Sequence, residues 1–226
     1  MSYKYETHMH TSESSGCARN TGAEQARVYK KRGYQGVIVT DHFLNGYSTC
    51  PYRSNLTWEQ KMEYVVAGYL SAKEEGDRIG LDVFFGWEFT VRGSDFLTYG
   101  LDLDFLNGHP GLHNLDVAEY STLVRQSGGF LAQAHPYRDA PHVEYKFPVE
   151  HKYVDAIEIY NASDTKHTNK KAESFAKKHN MPVQAGSDSH GSQIPFASGI
   201  TLDSRAENVH DIIDAIKEKR VKLILP

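Results

Sequence analysis

GVIVTDH, residues 36–42, is the stretch whose reading decides the fold. It is a continuous β-branched apolar run rather than an alternating one, the pattern of a strand buried on both faces as in a parallel sheet. It then stops abruptly in Asp41 and His42. The same grammar recurs along the chain. Residues 5–10 (YETHMH) read as a first strand ending in His8 and His10, and residues 82–89 as a strand ending in Glu88. Residues 129–134 (GFLAQA) run into His135, and residues 182–185 run into Gly186, Ser187, Asp188, Ser189 and His190.

Helical segments fall between these strands. Residues 21–32 form one, with Thr21 as N-cap, Glu24 three positions on and Gly33 as the stop. Residues 57–75, 117–126, 170–179 and 208–219 supply the others, and residues 96–101, 156–160, 199–202 and 221–225 read as further strands. Strands separated by helices imply parallel βαβ units. About seven core strands predict a closed or distorted barrel, with an open doubly wound sheet as the alternative. The chain has no linker-like stretch, so residues 1–226 are expected to form a single domain.

Composition narrows the function classes. A net charge of −4 without a basic tail makes nucleic acid an unlikely partner. The two cysteines suit a reduced intracellular protein better than a disulfide scaffold. The N-terminus has no apolar core of a signal peptide, and no run is long enough to span a membrane. A cytoplasmic protein without membrane contact is the expectation.

Twelve histidines is a high count for this length, and their placement matters more than their number. His8 and His10 are two apart on a strand and so share a face. With His42, Glu88, His135, Asp188 and His190 they lie at successive strand ends, where α/β architectures build their sites. Any one of these histidines alone would read as a loop or satisfied core residue. Five clusters at five strand ends are hard to explain that way, because unpaired polar groups there would cost stability. His109, His113, His142, His151, His167, His179 and His210 follow no strand and are set aside.

HMHTSESSGCA at residues 8–18, VIVTDHF at 37–43, GWEF at 86–89, AHPYR at 134–138 and GSDSH at 186–190 resemble the PHP (polymerase and histidinol phosphatase) superfamily, in that family's order. The resemblance implies a distorted (β/α)7 barrel with two or three divalent metals, Zn, Mn or Fe, at its carboxyl face. It implies His8, His10 and Asp188 around a first metal, Glu88 bridging to a second held by His135, and His42 with His190 at a third. Asp41 is expected to orient a neighbour. The chain departs from the family at two places. SDFLTYGLD, residues 94–102, puts Asp95 where many members carry a histidine, so Asp95 is a candidate oxygen ligand. After the opening HxH, Glu13 is the candidate third-metal ligand, followed by Ser14, Ser15, Gly16 and Cys17.

Mixed imidazole and carboxylate donors suit transition metals rather than Ca²⁺. Paired metals about 3.5–4 Å apart would activate a bridging hydroxide for in-line phosphoryl displacement. Arg138 is the candidate phosphate-binding and catalytic arginine, with Arg19 second. Either His42 or His190 would protonate the leaving group if not held by metal. Tyr160 and Asn161 are expected at the substrate pocket, and the loop 45–55, with Tyr47, Tyr52 and Arg53, as a lid. The expected activity is hydrolysis of a small phosphomonoester. Alternatives are a phosphodiesterase or exonuclease of the same fold, or a catalytically silent metal-binding domain. The oligomeric state is not legible.

Overall fold

The computed structural model describes residues 2–141, 143–144, 146–191 and 197–226; His142 lies outside them. The chain begins with β1 (Tyr3–Met9), crosses through α1 (Gly22–Lys31) and returns as β2 (Gly36–Val39). It crosses again through α2 (Trp58–Ile79) into β3 (Asp82–Val91). β1, β2 and β3 are parallel neighbours, as the apolar runs required. Both helices start on the signals in their sequence: Thr21 with Glu24, and Thr57 with Gln60, each form a complete capping box. α2 continues past residue 75 until Gly80 ends it in the left-handed conformation.

The parallel order is interrupted after β3, where two strands follow each other with no helix between them. β4 (Ser94–Tyr99) is antiparallel to β3. No helix separates them: Val91 pairs with Ser94 across Arg92 and Gly93, both at positive φ (50° and 78°). That two-residue turn matches the right-handed strand twist and folds the chain straight back. A short helix not anticipated from the sequence, α3 (Leu103–Gly108), leads to α4 (Val117–Gln126) and β5 (Phe130–Gln133). β5 is antiparallel to β4, which restores the direction of β1 to β3. β6 (Ala156–Asn161), α5 (Lys166–Lys178) and β7 (Val183–Gly186) then continue in parallel.

The sheet curls until β7 meets β1. Met9 and Ser189 form a parallel bridge, His10 N donates to Ser189 O at 2.9 Å, and Thr7 Oγ1 donates to Ala185 O at 2.8 Å. The result is a nearly closed, distorted α/β barrel. β8 (Gly199–Leu202) lies antiparallel on the first half of β1. α6 (Val209–Lys217) leads to β9 (Lys222–Ile224), antiparallel on β8. No helix among the described residues is long and apolar enough to cross a membrane.

One helix crossing positions the site. A Cβ on Gly22 would stand 2.2 Å from Gly68 O, and one on Gly68 would stand 1.7 Å from Thr11 Oγ1. Glycine at both positions lets α1 and α2 pack backbone to backbone, and sets α2 directly on the loop that follows His10.

Candidate metal centre

The strand ends bring the expected side chains to one point. His8 and His10 come from the end of β1, His42 from just beyond β2, Glu88 from β3, and His135 from just beyond β5. Asp188 and His190 follow β7. Glu88 lies at the middle. Its Oε1 is 3.2 Å from His8 Nε2 and 3.3 Å from His135 Nε2; its Oε2 is 2.8 Å from His42 Nδ1. Asp188 Oδ1 is 3.2 Å from His10 Nε2 and 3.6 Å from His8 Nε2.

Three overlapping donor groups result: His8 with His10 and Asp188; His8 with Glu88 and His135; and His10 with His42 and His190. The first can be checked against a metal. Ligands about 2.1 Å from a tetrahedral ion stand roughly 3.4 Å apart. The three separations here are 3.2, 3.2 and 3.6 Å.

Proton positions follow from partners. His8 Nδ1 faces Glu158 Oε1 at 3.0 Å, so Nδ1 carries the hydrogen and Nε2 the lone pair. His10 Nδ1 faces Ser15 Oγ at 3.3 Å, whose own hydroxyl donates to Asp41 Oδ1 at 2.6 Å. His10 Nε2 therefore also points its lone pair inward. His42 Nδ1 is buried and meets Glu88 Oε2 at 2.8 Å, outside hydrogen-bond geometry. Inward-facing nitrogen lone pairs among carboxylates are a donor set for divalent transition metals, and the residues fit that group.

Electrostatics agree. Burial would raise the pKa values of Glu88 and Asp188, but cationic neighbours outweigh it: His42 and His8 for Glu88, Arg138 and His8 for Asp188. Both carboxyls are held well below their usual range. Burial would lower His8, yet Asp188, Glu158 and Glu88 hold it well above the ordinary imidazole value. Burial, with His42 and His190, pushes His10 well below it. The centre demands positive charge, which protons or metal ions can supply.

Two residues of the centre carry strained backbone. His135 has φ 26° and Asp188 φ 50°, left-handed conformations that non-glycine residues rarely adopt. Asp41 receives Thr11 N (2.7 Å), Thr11 Oγ1 (2.6 Å) and Ser15 Oγ, and enters none of the three groups. Burial pushes its pKa up to about 6.

Several expected residues lie elsewhere than predicted. Glu13 is drawn away: its carboxylate accepts from Gly22 N at 3.0 and 3.1 Å, because the start of α1 offers an orphan donor and a positive dipole end. Asn161 is fully buried, so it does not line the pocket. It donates to Glu158 Oε2 (2.9 Å) and Asp188 Oδ2 (3.3 Å) and accepts from Arg138. Arg19 is exposed and makes no salt bridge among the described residues. Asp95 lies at the rim, Oδ2 3.9 Å from His135 Nε2, with Oδ1 accepting from Thr90 Oγ1. Arg138 donates to Asp188 Oδ2 at 2.6 Å. It borders a cavity of about 280 Å³ with His42, Tyr47, Glu88, Asp95, Asp188 and His190. Tyr160 does not border that cavity, and Tyr47 is the one aromatic of the loop 45–55 that does. His109, His113, His151, His167, His179 and His210 enter none of the three groups.

Two residues of the centre were not singled out from the sequence. Glu158, fully buried in β6, accepts from His8 Nδ1, His135 N and Asn161 Nδ2. A carboxylate in the middle of AIEIY was the available signal, since a buried acid in a strand must have partners. Cys17 borders the cavity beside His42 and His190.

Fold and donors together define an α/β barrel that gathers candidate metal ligands at the carboxyl ends of its strands. A family model described as PHP-associated matches residues 166–193. Among solved structures, the chain is similar to a two-domain protein from Bacteroides vulgatus containing a predicted PHP-like metal-dependent phosphoesterase. The TM-score is 0.74 at 15% identity, over 100% of this chain and 65% of that one. A protein from Bifidobacterium adolescentis, provisionally assigned as a metal-dependent phosphoesterase, gives 0.58 at 15% identity over 95% of each chain. A lesion-specific endonuclease from Pyrococcus furiosus gives 0.64 at 14% identity, over 100% of this chain and 58% of that one. No protein of curated function matches the sequence. At these identities the likeness establishes the fold, a distorted TIM-like barrel. The family model covers only the segment that holds α5, β7 and the residues Asp188 and His190.

Proposed function

We propose that the protein is a divalent-metal-dependent hydrolase of small phosphomonoesters. The observation that carries this reading is the convergence of two His/carboxylate groups and one all-histidine group, which overlap, on a cavity that also holds Arg138. Bound divalent cations supply Lewis acidity toward phosphoryl oxygens and lower the pKa of a water nucleophile.

The chain's own residues do the rest. Arg138, anchored on Asp188, offers a guanidinium at the cavity wall, where its planar fork matches phosphoryl oxygens. Glu158 fixes the ring of His8 and the backbone of His135, and Asn161 ties Glu158 to Asp188. We assign His42 and His190 to the donor group with His10 rather than to acid catalysis. A leaving alkoxide at the cavity mouth then takes its proton from solvent. A cavity of about 280 Å³ suits a compact phosphate ester better than a duplex or long polymer.

The test is elemental analysis of the purified protein, followed by assay of the same sample on an aryl phosphate monoester and diester. Two or three transition-metal equivalents with preferential monoester cleavage are expected. Preferential diester cleavage would shift the assignment to phosphodiesterase, a chemistry that the resemblance to an endonuclease fold also accommodates. No metal bound, and none recovered after adding Mn²⁺ or Zn²⁺, would leave a silent domain.

A further inference from the structure

Among the described residues, Tyr47 is the one exposed large apolar side chain that borders the cavity holding Arg138, and it is 42% exposed. No other tyrosine, tryptophan or phenylalanine among the described residues borders that cavity. Its ring centroid lies 5.3 Å from that of His42, at an interplanar angle of 34°, so the ring stands beside the donor cluster. Gly46 borders the cavity too, and a Cβ there would meet nothing within 4 Å, which leaves room next to the ring.

A side chain that must be ordered on binding loses much of what its contacts gain. The main chain that carries Tyr47 is already held. Tyr47 N donates to Asn45 Oδ1 at 2.8 Å, and Tyr47 O accepts from Gly16 N at 2.7 Å. Ser48 forms an antiparallel bridge with Ser15, in the segment that follows His10. Asn45 Nδ2 in turn donates to Thr90 Oγ1 of β3 at 2.8 Å. The ring is therefore presented by backbone anchored on two other segments of the site.

We propose that Tyr47 selects among phosphomonoesters by stacking on a planar aromatic group of the alcohol being released. The proposal rests on the hydrolase reading above and adds to it the chemical class of the leaving group. With the phosphoryl group at Arg138, the remainder of a compact ester lies in the same cavity, where Tyr47 offers the flat apolar face. Stacked aromatic pairs gain roughly 2- to 12-fold in affinity beyond what their buried area supplies.

Two phosphonates of similar size provide the test, benzylphosphonate with a planar ring and cyclohexylmethylphosphonate with a puckered one. Neither is hydrolysed, so binding is read apart from catalysis. Calorimetric titration of the metal-loaded full-length protein should show benzylphosphonate binding roughly 2- to 12-fold tighter. That ratio should survive in Tyr47→Phe and vanish in Tyr47→Leu, which keeps apolar bulk without a ring face. Because the ratio is taken within each variant, a general loss of affinity does not move it. Equal affinities in the parent protein, a ratio kept in Tyr47→Leu, or one lost in Tyr47→Phe overturns the stacking role. Cleavage of benzyl phosphate is measured separately. Its absence, with the phosphonate ratio intact, overturns the hydrolase reading and leaves the stacking wall standing. Binding of neither phosphonate overturns both.

Discussion

Glu158 accepts a hydrogen bond from Nδ1 of His8 at 3.0 Å, with both side chains completely buried. The other oxygen of the same carboxylate accepts from the backbone N of His135 at 3.0 Å. One acid in β6 thus orients two candidate ligands from β1 and β5. It fixes the tautomer of His8 and ties down the strained residue His135.

Glu158→Gln should therefore weaken metal binding without unfolding the barrel. Partners that orient ligands in this way are typically worth about 10–100-fold in metal affinity. Competition against a chromophoric chelator measures the loss, and circular dichroism checks the fold. Unchanged affinity would reduce Glu158 to a hydrogen-bond acceptor of the barrel interior.

Stripping the metal should cost stability as well as activity. Metal that binds only the folded chain adds about 2.7 kcal/mol when its free concentration is a hundredfold above Kd. For a chain of this size that corresponds to roughly 5–10 °C in Tm. A chelator should lower the melting temperature by that order, and added Mn²⁺ or Zn²⁺ should restore it. Identical melting curves with and without chelator would count against the centre.

The parallel strands and their ligand-bearing ends were legible because each is a local signal: a continuous apolar run, then His, Asp or Glu. His8, His10, His42, Glu88, His135, Asp188 and His190 all converge for that reason. What escaped depends on contacts between distant parts of the chain. Glu13 looked like a ligand until the start of α1 claimed it, and Asn161 looked like a pocket residue until Glu158 and Asp188 surrounded it. Cys17 borders the cavity only because residues 42 and 190 fold nearby. The reversal of β4 is carried by the short Arg92-Gly93 turn, whose two positive φ values an apolar-run pattern does not reveal.

Arg138→Lys should separate phosphate recognition from metal binding. Lysine keeps the charge but loses the planar fork that reaches Asp188 and a phosphoryl group together. Hydrogen bonds to charged groups are worth about 1.5–3 kcal/mol, so kcat/KM on a phosphomonoester should fall roughly 10- to 100-fold. Metal content should remain as in the parent protein. If catalysis is unaffected, Arg138 serves only to hold Asp188.

Gly68 tests how strongly the helix crossing controls the site. In Gly68→Ala the new methyl would meet Thr11 Oγ1 at 1.7 Å and Asp41 Oδ2 at 2.6 Å, so α2 must move or the Thr11–Asp41 pair must open. Overpacking of this kind costs about 1–3 kcal/mol, and occasionally more. Gly22→Ala is the control, because its methyl strikes Gly68 O and Ala72 N on α2 and neither Thr11 nor Asp41. Both variants should lose stability in urea denaturation, Gly22→Ala by forcing α1 from α2 and Gly68→Ala by forcing α2 from Thr11 and Asp41. Only Gly68→Ala should also lower metal affinity, because Asp41 holds Ser15, and Ser15 holds the ring of His10. Equal metal affinity in the two variants would show that the loop after β1 keeps its shape independently of α2.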